Sequence, residues 1–287
     1  MQLSPERIGL LLLVLVNAIL STGCEKMMEN SYQPDNTGIT ENEKTGNSRS
    51  IKIDCGEVSG CAIRAITAYA SGDTIHSVFA YNRNGSPATV RNDQVGTGNP
   101  NQLFKYDQYN RLIEYGRPYN NGFYEAWHKY GYNRKDQIVR DTMYSFGAMA
   151  DSSAVPETSF VVLTDYTYDI LNRIIRRKDS TFYSNSFVAV DSANFQYDGR
   201  GNLIRAGVVY DNKASILRTN KIWMFIACDY SVSNPFRATA YNFHGLPLSY
   251  TSTVFYENSF FLIYPFYTGI VEYICENSPR IHDSGIF

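Results

Sequence analysis

The imidazoles and thiols, the groups that most often hold zinc and drive nucleophilic chemistry, are few in this chain. They are the histidines His76, His128, His244 and His282 and the cysteines Cys24, Cys55, Cys61, Cys228 and Cys275. No His-Glu-x-x-His, no Gly-x-Ser-x-Gly, no phosphate-binding glycine loop and no dinucleotide fingerprint occurs. A zinc site wants Cys-x-x-Cys spacing or a histidine close to a cysteine in sequence. Neither is present, so no metal and no cofactor are expected. Cys55, Cys61, Cys228 and Cys275 form an even set, which reads as disulfides in an exported protein. Cys55 and Cys61 could close a small loop and leave Cys228 for Cys275, but three pairings remain open.

Binding chemistry is suggested most by the segment YNNGFYEAWHKYGY, residues 119–132. Aromatic rings with polar tips stack on sugars and dominate binding hot spots. The segment is expected to be a strand with aromatic residues on both faces. If it forms a site, Tyr124, Trp127 and His128 are the residues to carry it. The acids Asp107, Asp169 and Asp198 are assigned to turns, not to calcium or to an acid pair. A carboxylate pair for glycan hydrolysis assembled across strands is the alternative reading. The basic cluster Arg173, Arg176, Arg177 and Lys178 is read as a solvated strand face. The net charge is -2 and charges of both signs are mixed, so nucleic acid is not an expected partner.

The elements that hold these residues announce themselves as a repeat. FQYDGRGNLIRA at 195 has five further copies, beginning at Phe79, Phe104, Tyr130, Tyr166 and Thr239. Each has a tyrosine at its third place: Tyr81, Tyr106, Tyr132, Tyr168, Tyr197 and Tyr241. Each tyrosine is followed by Asn82, Asp107, Asn133, Asp169, Asp198 or Asn242. Four places after the tyrosine stands Gly85, Asn110, Asp136, Asn172, Gly201 or Gly245. Asp or Asn at a turn start accepts hydrogen bonds from the backbone just ahead. Gly, Asn and Asp tolerate positive φ. The pattern predicts a hairpin closed by a type I turn and one left-handed residue. Aromatic-x-Tyr places both rings on one face of the entering strand. Leu112-Ile113, Ile138-Val139, Ile174-Ile175 and Leu203-Ile204 start the return strand. Pro87 and Pro247 stand there in two copies and predict an edge or a non-bonded site.

These residues resemble the YD repeats of Rhs-type proteins, in degenerate form, over roughly residues 75 to 255. Start-to-start spacings of 25, 26, 36, 29 and 44 residues are longer and less regular than the family repeat. The resemblance implies an antiparallel sheet of successive hairpins. It does not bring the toxin-enclosing shell of the large family members, for which this chain is too short. The 23 tyrosines and 16 phenylalanines favour strands. The expected fold is therefore all-β: a meander of hairpins forming a curled sheet or an open or partly closed barrel. Residues 145–160 and 211–220 are expected in loops, and the apolar run 260–274 as one or two closing strands. No long helical period follows residue 24. A membrane-spanning barrel is disfavoured by charged runs such as Asn172 to Lys178.

The N-terminus supplies an address. Residues 8–20 are an apolar run of signal-peptide length, too short to span a bilayer. Ser21-Thr22-Gly23-Cys24 resembles the lipobox of bacterial lipoproteins, which implies cleavage after residue 23 and acylation of Cys24. Two or more acyl chains anchor stably. Residues 24–50 read as a disordered tether with a span of roughly 28 Å. Residues 51–287 read as a single β-rich repeat domain. The layout is similar to lipoproteins of Bacteroidota. The expectation is a monomeric outer-membrane lipoprotein, non-catalytic, that binds a glycan or a protein.

Overall fold

The computed structural model describes residues 60–70, 73–148, 158, 160–236, 238–251 and 268–275. The expected signal peptide, Cys24, the expected tether and Cys55 lie outside the described residues. All six Tyr-Asx units are chain reversals with one geometry. The Asx backbone N–H donates to the carbonyl four residues on, at Ser86, Arg111, Gln137, Arg173, Asn202 and Leu246, over 2.8–3.0 Å. Its side-chain Oδ1 accepts from the N–H groups two and four residues ahead; for Asp169 these are Leu171 and Arg173, both at 2.9 Å. The slot for positive φ holds Gly85 at +77°, Asn110 at +59°, Asp136 at +56°, Asn172 at +62°, Gly201 at +84° and Gly245 at +76°.

The first four units join strands, in the order β1 (Cys61–Ala70), β2 (Asp73–Tyr81), β3 (Pro87–Asn92), β4 (Gln102–Tyr106), β5 (Leu112–Pro118), β6 (Phe123–Tyr132), β7 (Ile138–Ala148), β8 (Phe160–Tyr168) and β9 (Ile174–Tyr183). In each, the return strand carries one extra residue just past the turn: Ala88, Ile113, Val139 and Ile175. This bulge resolves the apolar pair that starts each return strand. Leu112, Ile138 and Ile174 enter the core, whereas Ile113 is exposed. The last two units keep the turn and shrink the ladder to single bridges, Tyr197↔Leu203 and Tyr241↔Pro247. The expected return strand at Leu203-Ile204 is thus absent. The chain there turns away to cover the sheet, and the Leu203 N–H bonds Ser231 Oγ.

The repeat tyrosine clamps each hairpin to the one before it. Tyr106 donates to the Pro87 carbonyl, Tyr132 to Leu112, Tyr168 to Ile138 and Tyr197 to Ile174. Each acceptor lies six residues after the preceding unit's tyrosine. Tyr210 repeats this on Leu203 and Tyr273 on Pro247.

Two strands from the C-terminal part of the chain complete the sheet. After β10 (Ser186–Asn194) the chain crosses back, and β11 (Ser249–Thr251) and β12 (Thr268–Cys275) add beside β1. The order is β10-β9-β8-β7-β6-β5-β4-β3-β2-β1-β12-β11, antiparallel throughout, with β10 and β11 as open edges. The fold is all-β with a curled, unclosed sheet.

Its inner face is covered by the chain between residues 203 and 248, including a 3-10 turn (Ile216–Thr219) and a short helix α1 (Lys221–Ile226). The Asn220 side chain caps α1 by accepting from the Ile222 N–H. Ile222, Trp223, Met224 and Phe225 are all buried, as expected for a helix without a polar face. The first aromatic of each of the first four repeats meets this helix. Phe79 and Phe104 pack edge-on against Trp223 at 5.7 and 5.5 Å. Tyr130 and Tyr166 pack against Phe225 at 5.3 and 5.4 Å. A sheet of stacked hairpins cannot bury its apolar face alone, and α1 supplies the missing layer.

Three expectations need correction. Cys61 pairs with Cys275, directly opposite across β1 and β12, so neither the small loop with Cys55 nor a Cys228–Cys275 bond forms. The repeat brings the two ends of the domain together, which no local spacing reveals. Cys228 is a buried free thiol, pushed up to about 11 by its burial. Within the expected loop 211–220, Ile216–Thr219 forms a 3-10 turn, and beyond it Lys221–Ile226 forms a short helix, because capped apolar residues serve the core. The basic cluster is a solvated face only in part: Arg176 and Lys178 are exposed, whereas Arg173 and Arg177 are half-buried, Arg173 paired with Asp169 at 2.7 Å and Arg177 with Asp179 at 3.0 Å. Of the run 260–274, the described part, 268–274, lies within β12 as expected; of the expected loop 145–160, residues 145–148 belong to β7 and Phe160 to β8, and 149–157 and 159 lie outside the described residues.

Candidate ligand-binding cleft

The row of turns borders a cleft of about 610 Å³ against α1. Its floor is apolar and aromatic: Leu112, Ile138, Tyr132, Tyr168, Phe225 and Tyr230. Its rim is polar: Asn110, Arg111, Asp136, Gln137, Asn172 and Lys221, with Tyr109 beside them. Both walls follow from the repeat. The tyrosines and the first apolar residue of each return strand must lie inward, while the left-handed residues must lie at the bend.

Side chains link one turn to the next along this rim. Asn82 Nδ2 donates to Asn110 Oδ1 at 3.1 Å, and Asn110 Nδ2 to Ser86 Oγ at 2.9 Å. Arg111 reaches its own Asp107 at 2.7 Å and Asp136 of the next turn at 3.2 Å. Gln137 Nε2 donates to Asn172 Oδ1 at 2.7 Å. The Arg111 guanidinium also lies over the rings of Tyr132 and Tyr109, at 5.0 and 5.3 Å. Hydrogen bonds that Arg111 donates to Asp107 and then to Asp136 raise it above its ordinary pKa. Desolvation opposes ionisation of Asp107, yet bonds from the Arg111 backbone and side chain and the Tyr109 N–H hold it below its usual value. Tyr132 is pushed up to about 12, mainly by burial. The cleft therefore offers fixed charges of both signs, planar amides and neutral phenols over flat apolar rings.

The residues of the aromatic segment do not meet in this cleft. Tyr124 is buried at 1% exposure. Trp127 stacks over Gly116, where a Cβ would stand 3.0 Å from its ring, and Lys105 Nζ lies 4.9 Å from it. Trp127 and His128 are neighbours in a regular ladder and point to opposite faces. His128 turns inward, stacked between Tyr115 and Tyr130, with Nδ1 2.8 Å from Asp141 Oδ2. That inner face also holds Asp179, which accepts from Thr164 Oγ1 at 2.7 Å. Asp141 pairs with Thr164 and Thr164 with Asp179 in the ladder, which places the two acids two strands, roughly 10 Å, apart. His76 bonds Thr67 and lies far along β2 from this group.

Lys221, Phe225 and Tyr230 were invisible as cleft residues, since only the return of the chain across the sheet brings them there. Tyr210-Asp211 departs from the repeat pattern: Asp211 Oδ1 accepts from the Lys213 N–H, but the left-handed residue, Asn212 at φ +58°, stands two places after the tyrosine and not four.

In comparisons with known proteins, no family model matches the chain, and no curated protein does.

Proposed function

We propose that this chain is a lipid-anchored, non-catalytic lipoprotein of the bacterial outer membrane, monomeric, whose cleft along the turn row binds a glycan. The observation that carries the reading is the cleft itself. A volume of about 610 Å³ lies within the range of small-ligand sites, and sites of that kind combine apolar walls with a few placed polar groups. Tyr132, Tyr168 and Tyr230 offer ring surface for sugar faces. Asn110, Gln137, Asn172 and Arg111 offer donors and acceptors for hydroxyls. The lipobox and polar tether support the address. The likeness to YD repeats belongs to the same reading and concerns the hairpin units alone.

The second reading is carboxylate-dependent glycan hydrolysis, and the inward pair Asp141 and Asp179 is what favours it. Their spacing of roughly 10 Å sits near the upper end for inverting enzymes. Both acids are nevertheless engaged with His128, Thr164 and Arg177.

The test is a glycan array probed with the full chain carrying Cys24→Ser, followed by calorimetry on the selected oligosaccharide. Asn172→Gly removes the rim amide and keeps the left-handed backbone. It should weaken binding about tenfold, corresponding to about 1.4 kcal/mol. No binding to any glycan, or unchanged affinity in both Asn172→Gly and Lys221→Ala, sinks the proposal. Release of reducing sugar that Asp141→Asn abolishes would replace it with the hydrolase.

A further inference from the structure

We infer that Cys61, Cys275 and His244 form a redox-gated metal site: closed as a disulfide, and open to a thiophilic divalent cation, Zn²⁺ by its chemistry, once reduced. This inference is independent of the glycan reading. One ligand atom from each of the three residues lies within 4.8 Å of the others. The cysteines are opposed across β1 and β12, and both are buried. His244 comes from a separate element, the turn of the sixth repeat.

That turn explains how the histidine arrives. The Asn242 Oδ1 accepts from the N–H groups of His244 and Leu246, both at 3.0 Å. The Asn242 Nδ2 lies 3.8 Å from Cys275 Sγ. One side chain thus fixes the histidine loop and donates toward a sulfur, an interaction that strengthens when the sulfur is an anion. The His244 ring packs on Phe243 at 3.9 Å, and its Nε2 is buried without a hydrogen-bond partner. A buried imidazole nitrogen left unpaired is costly. A metal bound to the two adjacent sulfurs gives this ring a role that no protein group supplies.

The chemistry balances with a dithiol reductant. Two electrons and two protons pass from the reductant to the Cys61–Cys275 bond, giving two thiols, and the reductant becomes a disulfide. Binding of Zn²⁺ then releases the two thiol protons. Two thiolates and one neutral imidazole provide three ligands of a tetrahedral set, with Zn–S near 2.3 Å and Zn–N near 2.0 Å, and water takes the fourth position. The sulfurs must part to roughly 3.8 Å in that geometry.

Co²⁺ is the probe, because thiolate ligation gives it a charge-transfer band and tetrahedral d–d absorption. The full chain is titrated in its oxidised form and after dithiol treatment, beside His244→Ala and Cys275→Ser. Expected is one thiolate-ligated Co²⁺ per reduced wild-type chain, none in the oxidised chain, and at least a tenfold loss of affinity in both variants. Displacement by Zn²⁺ should bleach the band. His244→Ala leaves the disulfide in place, so its fold is checked in the oxidised state. If reduction unfolds the chain, recovery of native circular dichroism on adding Co²⁺ supports the site, and failure to recover overturns it. A band of equal strength in all three proteins arises from other thiols and overturns it too, as does a reduced, folded wild type with no band.

Discussion

A repeat tyrosine serves this fold through its hydroxyl as well as through its ring. The ring buries against the inner layer, and the O–H closes a bond to the previous hairpin. Tyr132→Phe should therefore cost about 1 kcal/mol, the net worth of one such bond, read as a lower denaturant midpoint with an unchanged slope. Positive φ makes the complementary prediction. Asn110 sits at +59°; alanine and glycine there both lose the side-chain bonds to Asn82 and Ser86, but only alanine is strained, so Asn110→Ala should be about 1 kcal/mol less stable than Asn110→Gly in the same unfolding assay. Turn chemistry was legible in the sequence because it is local: Asx and Gly stand where the backbone dictates them. The tyrosine's partner was not legible. Its acceptor belongs to another unit, and only the stacking of hairpins brings that carbonyl within reach.

At the scale of elements, strands β2 to β9 were readable from alternation and turns, and α1 was not. Six residues are too few for a helical period to show, and Trp223 and Phe225 resemble any other aromatic pair in a β-rich chain. Their packing decides their importance. Trp223 is wholly buried against Phe79 and Phe104, so Trp223→Ala should cost about 3–5 kcal/mol. The element-level test is that its near-ultraviolet circular dichroism weakens with the transition midpoint, while the β signal persists. The aromatic segment forms β6, the strand its composition predicted, but composition does not give the direction of each side chain. Trp127 and His128 are adjacent, yet one lies on Gly116 and the other faces Asp141. The cleft residues came instead from turns and from α1, two elements whose meeting depends on the chain crossing back over the sheet.

For the described domain as a whole, two features govern stability. The Cys61–Cys275 bond spans a sequence separation of 214, and in the chain-entropy account a loop of that size stabilises by roughly 5 kcal/mol. Cys275→Ser should lower the unfolding free energy by several kcal/mol, and dithiol treatment of wild type in the absence of divalent metal should match it. Tyrosines set the alkaline limit. Burial raises Tyr132 and Tyr210 from 10.0 to about 12, so the folded state holds those protons more tightly than the unfolded chain. Their contribution is complete below about pH 10 and is lost as pH climbs toward 12. Phenolate absorbance should rise together with loss of β circular dichroism, not before it. The bond between the first and last strands also shows why whole-molecule order outran the sequence: nothing local distinguishes Cys275 as the partner of Cys61.

Hydrogen exchange with the array-selected oligosaccharide, comparing free and bound chain, tests the binding account most directly. The account predicts slowed exchange confined to residues 109–112, 132–138, 168–172 and 221–230, the segments that wall the cleft. Protection centred on β6 around Trp127, or on the edge strand β10, with the cleft segments unchanged, would contradict it.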